Sequence, residues 1–226
     1  CAKTKIECNS DGLRRFDTNV AKLMGLGNSG RKFPENNDEL KKFCDENEVY
    51  LVDIDIYKNK CMDGLSKQVT SVLIYSGKNA IKQFCRKSNS KVAELLRASK
   101  CANKGSAEIN KCYTQLIDKL LGIQNTKDHK KKIPQVCCSY HNLLNECMPE
   151  RLKRIDVCLP KILQTIIDFV NSIGGNALNL FCGEYNTDGS DKCQYLEAPP
   201  KKLKSQRRTK SFALPAIDVF QSIPKA

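Results

Sequence analysis

Thirteen cysteines spread from Cys1 to Cys193 of a 226-residue chain constrain this protein more than any other feature. They form no repeated CxxC pattern. Only His129 and His141 could join them at a metal, and neither stands at finger spacing, so no metal and no cofactor is expected. A reducing compartment would keep such thiols free; the pattern reads instead as a disulfide framework made in an oxidising one. The chain opens at Cys1 with no initiator Met and no apolar leader, as a mature product does once its signal peptide is removed. A lipid-modified bacterial N-terminus also begins with cysteine, but the dozen cysteines that follow argue against it. No Asn-x-Ser/Thr acceptor occurs, and no apolar run approaches the roughly 18 residues of a transmembrane helix. The expectation is a secreted, extracellular protein without a transmembrane segment.

Periodicity gives helices. Asp11 to Leu23 reads as a short first helix, and Asn37 or Asp38 as the N-cap of the next. Leu65, Val69, Val72, Leu73, Ser76, Ala80 and Phe84 share one helical face. A stronger stripe, Leu159, Ile162, Leu163, Ile166, Ile167, Val170 and Ile173, is started by Pro160 and expected to break at Gly174-Gly175. Val52-Asp53-Ile54-Asp55-Ile56 alternates like a strand.

The cysteine spacing decides for helix there. Cys138, Cys147, Cys158 and Cys182 are separated by eight, ten and twenty-three residues, and Cys101, Cys112 and Cys137 by ten and twenty-four. Cys44, Asp53, Cys61 and Cys85 follow with eight, seven and twenty-three, if Asp53 stands in a cysteine's place. Three blocks on one template predict an all-α stack of three disulfide-stapled helical hairpins. Cys138 and Cys147, nine residues or about half a turn out of phase, should bond to different neighbours. The ten residues between Cys147 and Cys158 suit a loop closed at a hairpin's end. Cys1, Cys8, Cys44, Cys85, Cys101, Cys112, Cys137, Cys138, Cys147, Cys158, Cys182 and Cys193 then make the framework, and Cys61, lacking its partner at Asp53, is the free-thiol candidate.

Three regions follow: an N-terminal segment and Gly-rich linker (1–33), the disulfide-linked helical domain (34–198) and a basic tail (199–226). Of the net charge of +13, residues from Glu197 onward supply +5. Their composition predicts a disordered arm.

The block Phe33-Pro34, Glu39-Leu40, Cys44, Tyr57, Cys61, then Val136-Cys137-Cys138-Ser139-Tyr140-His141, Cys147, Cys158, Phe181-Cys182 and Cys193 resembles a family of secreted cysteine-rich arthropod proteins. These are loosely grouped with haemolymph glycoprotein-like proteins, and the likeness runs over about residues 1–198, the Cys1 and Cys8 pair included. Its most specific element is the vicinal pair Cys137-Cys138 with Tyr140-His141. The resemblance implies an extracellular, helical, disulfide-bonded fold and brings no catalytic residues. The family pattern carries a further cysteine where this chain has Asp53, which would account for the odd count. The absence of N-glycosylation sites departs from the glycoprotein label.

Motifs for chemistry are weak. Secreted calcium-dependent phospholipases also place a catalytic His after a vicinal Cys pair, but there an Asp follows the His, and here Asn142 does, with no Gly-rich calcium loop before it. Gly25, Gly27 and Gly30 fit GxGxxG without the βαβ unit that motif needs and read as a linker. Asp188-Gly189-Ser190-Asp191 lacks the carboxylates of a calcium loop and reads as a turn. Two basic runs remain: Lys130, Lys131 and Lys132 beside Lys127, and Lys201, Lys202, Lys204, Arg207, Arg208 and Lys210. Such clusters attract sulfate, phosphate or anionic headgroups, although no aromatics interleave them, so specific nucleic-acid binding is not expected. Arg207-Arg208 is also a dibasic cleavage motif.

The expected function is non-enzymatic binding in haemolymph or a secretion, carrying an apolar small molecule or lipid. The alternative is a salivary or venom-type effector that binds an anionic glycan or membrane surface through the basic arm. A phospholipase-like hydrolase using His141 is the third reading. A carrier predicts a cavity on the order of several hundred Å3; an effector predicts a coherent cationic face; a hydrolase predicts a cleft with His141 near a carboxylate.

Overall fold

The computed structural model describes residues 6–24, 30–85, 90–185 and 192–224. All regular structure among them is helical. The long helices are α1 (Ser10–Met24), α2 (Asn37–Cys61), α3 (Gly64–Cys85), α4 (Ser90–Lys104), α5 (Ser106–Gln124) and α6 (His129–Asn142). A π-helical turn, Leu143–Cys147, leads into the short α7 (Met148–Leu152), and α8 (Pro160–Cys182) and α9 (Ala213–Gln221) follow. Among the described residues no helix is long and apolar enough to cross a membrane.

Helix α2 is capped by Asn36, one residue before the expected cap. Asn36 Oδ1 accepts from the Glu39 amide at 2.9 Å while the Glu39 carboxylate accepts from Glu35 N and Asn36 Nδ2, a reciprocal capping pair. Leu51, Ile54 and Tyr57 on α2 are buried, whereas Val52 and Ile56 are exposed, so the strand-like alternation came from apolar residues on two helical faces. Helix α8 does not break at Gly174-Gly175; it runs on to Cys182, where a disulfide holds its end.

Helices α2, α3, α4 and α8 pack round a core whose centre is aromatic. Phe169 of α8 lies 4.8 Å from Phe84 and edge-on to Phe33 at 5.5 Å, and Phe33 lies 6.0 Å from Phe43. Helix α1 adds Phe16, Val20 and Leu23 to the same core. The proposed boundary at residue 33 therefore does not divide the packing. The glycines Gly25 and Gly27 and the stretch from Asp188 to Asp191 lie outside the described residues.

Six disulfides join Cys8–Cys61, Cys44–Cys85, Cys101–Cys158, Cys112–Cys147, Cys137–Cys182 and Cys138–Cys193. Cys138 and Cys147 do bond to different neighbours. Two expectations are corrected. Cys61 is not free: Cys8, just before α1, meets the C-terminal end of α2, because α1 lies along α2. Cys147 and Cys158 do not close their own loop but reach back to α5 and α4. The expected template also gives the first block a gap at Asp53, and there Arg15 and Asn19 of α1 donate to the Asp53 carboxylate instead. Cys1 lies outside the described residues.

The largest correction concerns the tail. Residues 199–224 are not a disordered arm. Phe212, Ala213, Ala216, Ile217, Val219 and Phe220 are buried, and α9 packs against α1, α3, α5 and α6. The composition of residues 201–210 hid an apolar run immediately after it.

Candidate functional site

The two basic runs, seventy residues apart in the chain, are brought together around the α5–α6 turn. Asn125 caps α5, its amide N–H reaching Gly122 O and its side chain donating to Leu121 O at 3.1 Å and to Gln206 Oε1 at 3.0 Å. Gln206 Nε2 in turn donates to Leu121 O and to Gln124 Oε1, both at 3.0 Å. These bonds strap residues 197–208 over the turn. The strap passes so close that a Cβ on Gly122 would sit 1.9 Å from Pro200 O. Only glycine leaves that room. On the α6 side Lys131 Nζ pairs with Glu197 at 2.9 Å, and Gln135 Nε2 donates to Glu197 O at 3.1 Å.

Each basic candidate now has a place. Lys130, Lys201, Lys204 and Arg207 are exposed around this turn, as is Lys127 beside the Asp128 cap of α6. Lys210 is exposed further along, where its amide donates to Asp17. Lys131 is partly neutralised: the hydrogen bond and charge of Glu197 raise its pKa, and Lys131 lowers that of Glu197. Lys202 donates to Gln206 O at 3.2 Å. Arg208 makes a two-pronged pair with Asp118, Nε to Oδ1 at 2.7 Å and Nη2 to Oδ2 at 2.6 Å. That pair raises the already high pKa of the guanidinium.

Lys132 is a correction. It is only 2 % exposed, so it faces the interior and offers nothing to an external anion. Its ammonium donates to Ser222 Oγ at 2.7 Å and Gln124 O at 3.1 Å, and burial lowers its pKa.

His141 lies in a cleft of about 330 Å3 beside the Cys138–Cys193 disulfide, with Lys119, Asn142 and Glu146 on its wall. The π-helical turn after Asn142 shapes this wall. The Glu146 carboxylate is taken by the side-chain amide of Asn142, which also accepts from Lys119 Nζ at 3.2 Å. The cleft thus brings a histidine and a carboxylate together, but Asn142, the residue that replaces the phospholipase Asp, occupies that carboxylate.

A second cleft, about 450 Å3, lies between the start of α2 and Asn103. Its Arg31 is structural: the guanidinium stacks 4.0 Å from the Phe43 ring, donates to Asn47 Oδ1 at 2.6 Å and to Phe43 O at 2.9 Å, and pairs with Glu46. Burial lowers its pKa. Both clefts have charged walls, and neither is the apolar cavity a carrier needs. No three metal-ligating side chains converge among the described residues.

Gly122, Gln206, Asp118 and Asp17, which fix the strap, had no signal in the sequence. Protein-family models, curated proteins and solved structures gave no match to this chain.

Proposed function

We propose that this is a secreted, non-enzymatic extracellular binding protein of arthropod type, present in haemolymph or a secretion, which engages sulfated glycans through the cationic surface around the α5–α6 turn. The observation that supports this reading is the convergence of the two basic runs on one strapped turn. Exposed Lys127, Lys130, Lys201, Lys204 and Arg207 stand there on a hydrogen-bonded frame. A frame that is already ordered spares the entropy a mobile arm loses on binding. Among the strap residues only Leu203 offers an exposed large apolar side chain near these cations, which favours a polyanion over insertion into a membrane. Six cross-links in a basic chain suit work outside the cell.

The test is heparin chromatography with charge-matched variants. Lys127→Glu/Lys130→Glu and Lys201→Glu/Lys204→Glu should each elute at clearly lower salt than Lys78→Glu/Lys82→Glu, a pair exposed on α3. By analogy with nucleic acids, each cation lost from the contact should flatten the log–log salt dependence by about 0.7–0.9. Equal loss from all three pairs would show that net charge alone drives retention. Vesicles of phosphatidylserine, bound as tightly as heparin and lost with Leu203→Asp, would assign the patch to membranes instead.

A further inference from the structure

Helix α9 is fastened differently from the other helices. All six disulfides lie at or before Cys193, so beyond that residue only non-covalent contacts hold the chain down. Between Cys193 and α9 runs the strap, without regular structure at Arg207-Arg208, where Arg207 is exposed. Arg14-Arg15, Lys41-Lys42 and Lys130-Lys131 lie inside helices, which cannot enter a protease cleft without unwinding. Arg31-Lys32 and Lys153-Arg154 lie outside helices, but cuts there leave the pieces joined by Cys8–Cys61 and Cys101–Cys158. Within the strap Lys202 is half-buried and donates to Gln206 O, which leaves Arg207-Arg208 the more open pair.

Beneath α9 lies an apolar groove. Phe212 covers Tyr113 and Tyr140, with ring centres at 6.0 and 6.2 Å, and Phe220 covers Phe181 at 4.8 Å. Val69 packs with Ile217 and Phe220 alongside. Two polar features break this apolar floor. The hydroxyls of Tyr113 and Tyr140, each on a residue at least 97 % buried, have no hydrogen-bond partner among the described residues. Such groups are costly to leave unmet. At the other end the buried Lys132 ammonium donates one of its two hydrogen bonds to Ser222 Oγ, just past α9. A groove with an apolar floor, two unmet hydroxyls and a buried cation at one end has the chemistry of an amphiphile site.

We propose that Arg207-Arg208 is a processing site and that α9 is a releasable plug over a groove for a long-chain carboxylic acid. An external endoprotease of the dibasic-specific class adds water across the Arg208–Thr209 peptide bond. The C–N bond breaks, hydroxide goes to the Arg208 carbonyl carbon, giving a carboxylate and a proton, and the Thr209 nitrogen becomes an amine. A short tether holds its segment at an effective concentration of about millimolar; once cut, the segment 209–226 dilutes to its bulk concentration, about a thousandfold lower in a micromolar solution. The acid's carboxylate then replaces Ser222 at Lys132, and its chain takes the space of Phe220 and Phe212. Asp118 sets the rate of cutting, because its two bonds to Arg208 hold that side chain away from the protease. The cationic strap up to Arg208 stays joined to Cys193, so heparin binding survives the cut and the two proposals fail separately.

The experiment treats the full chain with a dibasic-specific endoprotease, reads the first cut by intact mass, and titrates cis-parinaric acid, a fluorescent long-chain carboxylic acid. The first cut should follow Arg208, several-fold faster in Asp118→Asn. The intact chain should give no saturable signal, the cut chain should bind one equivalent at micromolar affinity, and added 209–224 peptide should compete. Cut Lys132→Met should bind about tenfold more weakly. Uncut Arg207→Gln/Arg208→Gln should stay silent under the same protease, a control that holds even if Lys132→Met does not fold. Parinaric acid binding equally to intact chain, a cut chain that binds none, or a first cut elsewhere would each overturn the proposal.

Discussion

Replacing Asp17 by alanine tests whether the C-terminal strap is docked. Asp17, on α1, is 5 % exposed, and its carboxylate accepts three hydrogen bonds from the strap. Lys210 N reaches Oδ2 at 2.6 Å, while Ser211 N at 2.9 Å and Ser211 Oγ at 2.6 Å share Oδ1. Ser211 is itself 3 % exposed, so its amide finds no water when the carboxylate goes. A buried donor left unmet costs about 1–3 kcal/mol. The hydroxyl can turn elsewhere, so two stranded amides put the loss at about 2–6 kcal/mol. The milder Asp17→Asn change keeps one acceptor oxygen and should lose about 1–2 kcal/mol, since a hydrogen bond to a charged acceptor is worth more than one to a neutral acceptor. Burial of Phe212, Ile217, Val219 and Phe220, at about 1.5–3 kcal/mol each, still holds α9 in place. The strap therefore opens locally before the body unfolds, and global denaturation reports only part of the loss. Hydrogen exchange of peptides covering 209–224 reads it directly. About 3 kcal/mol predicts roughly hundredfold faster exchange there in Asp17→Ala, with α3 and α8 unchanged. Wild-type exchange at the rate of an unstructured peptide, or equal protection in wild type and variant, would refute the docked strap.

Peptide mapping without reduction should find Cys61 linked to Cys8, with a single alkylated cysteine, Cys1, completing the thirteen; a Cys61 peptide carrying alkyl label would overturn the pairing. Burial raises the pKa of Tyr113 and Tyr140 above the usual 10. The native state then holds protons that the unfolded chain has lost, so these groups stabilise the fold fully below pH 10 and less with each step above it. Absorbance titration should show Tyr113 and Tyr140 ionising only as the fold melts, and Tyr113→Phe should extend stability to higher pH.

Helices were legible because apolar spacing on an amphipathic helix reports burial directly. Phe84 on α3 and Ile166 and Val170 on α8 are in the core, whereas Leu159 at the head of the α8 stripe is exposed and Phe169, off that stripe, is central. The fate of the tail was less legible, for a physical reason. Residues 201–210 are polar because they cross the surface as a strap, while their anchors, Gly122, Asp17 and Asp118, belong to helices far back in the chain. A composition window sees the strap and not the anchors. The signal that was present lies after it, in Phe212, Leu214, Ile217, Val219 and Phe220, five large apolar residues within nine positions. The cationic site was half legible. Both basic runs were visible, but nothing in the chain between them said that Gln206 would tie one to Asn125 at the head of the other. Lys132 looked like its neighbours and is an interior group, because helical phase turns it inward while Lys130 stays out.

The position of Asp53 shows why spacing pointed to a helix there and yet to the wrong odd cysteine. Counting Asp53 as a lost cysteine strands Cys61, yet the two are eight residues apart on one helix and need not share a partner. Helix α1 runs along α2 and meets it twice. At one end Cys8 bonds to Cys61 and closes fifty-three residues, worth about 4 kcal/mol in the chain-entropy model. Two turns inward, Arg15 Nε at 3.1 Å and Asn19 Nδ2 at 3.2 Å donate to Asp53, a half-exposed contact worth about 1 kcal/mol or less. A cysteine at 53 would face an arginine and an asparagine, with no sulfur in reach on α1. The helix pair is thus fastened covalently at its end and by charge in its middle. Exchanging Asp53 for cysteine would remove the second fastening without creating a third.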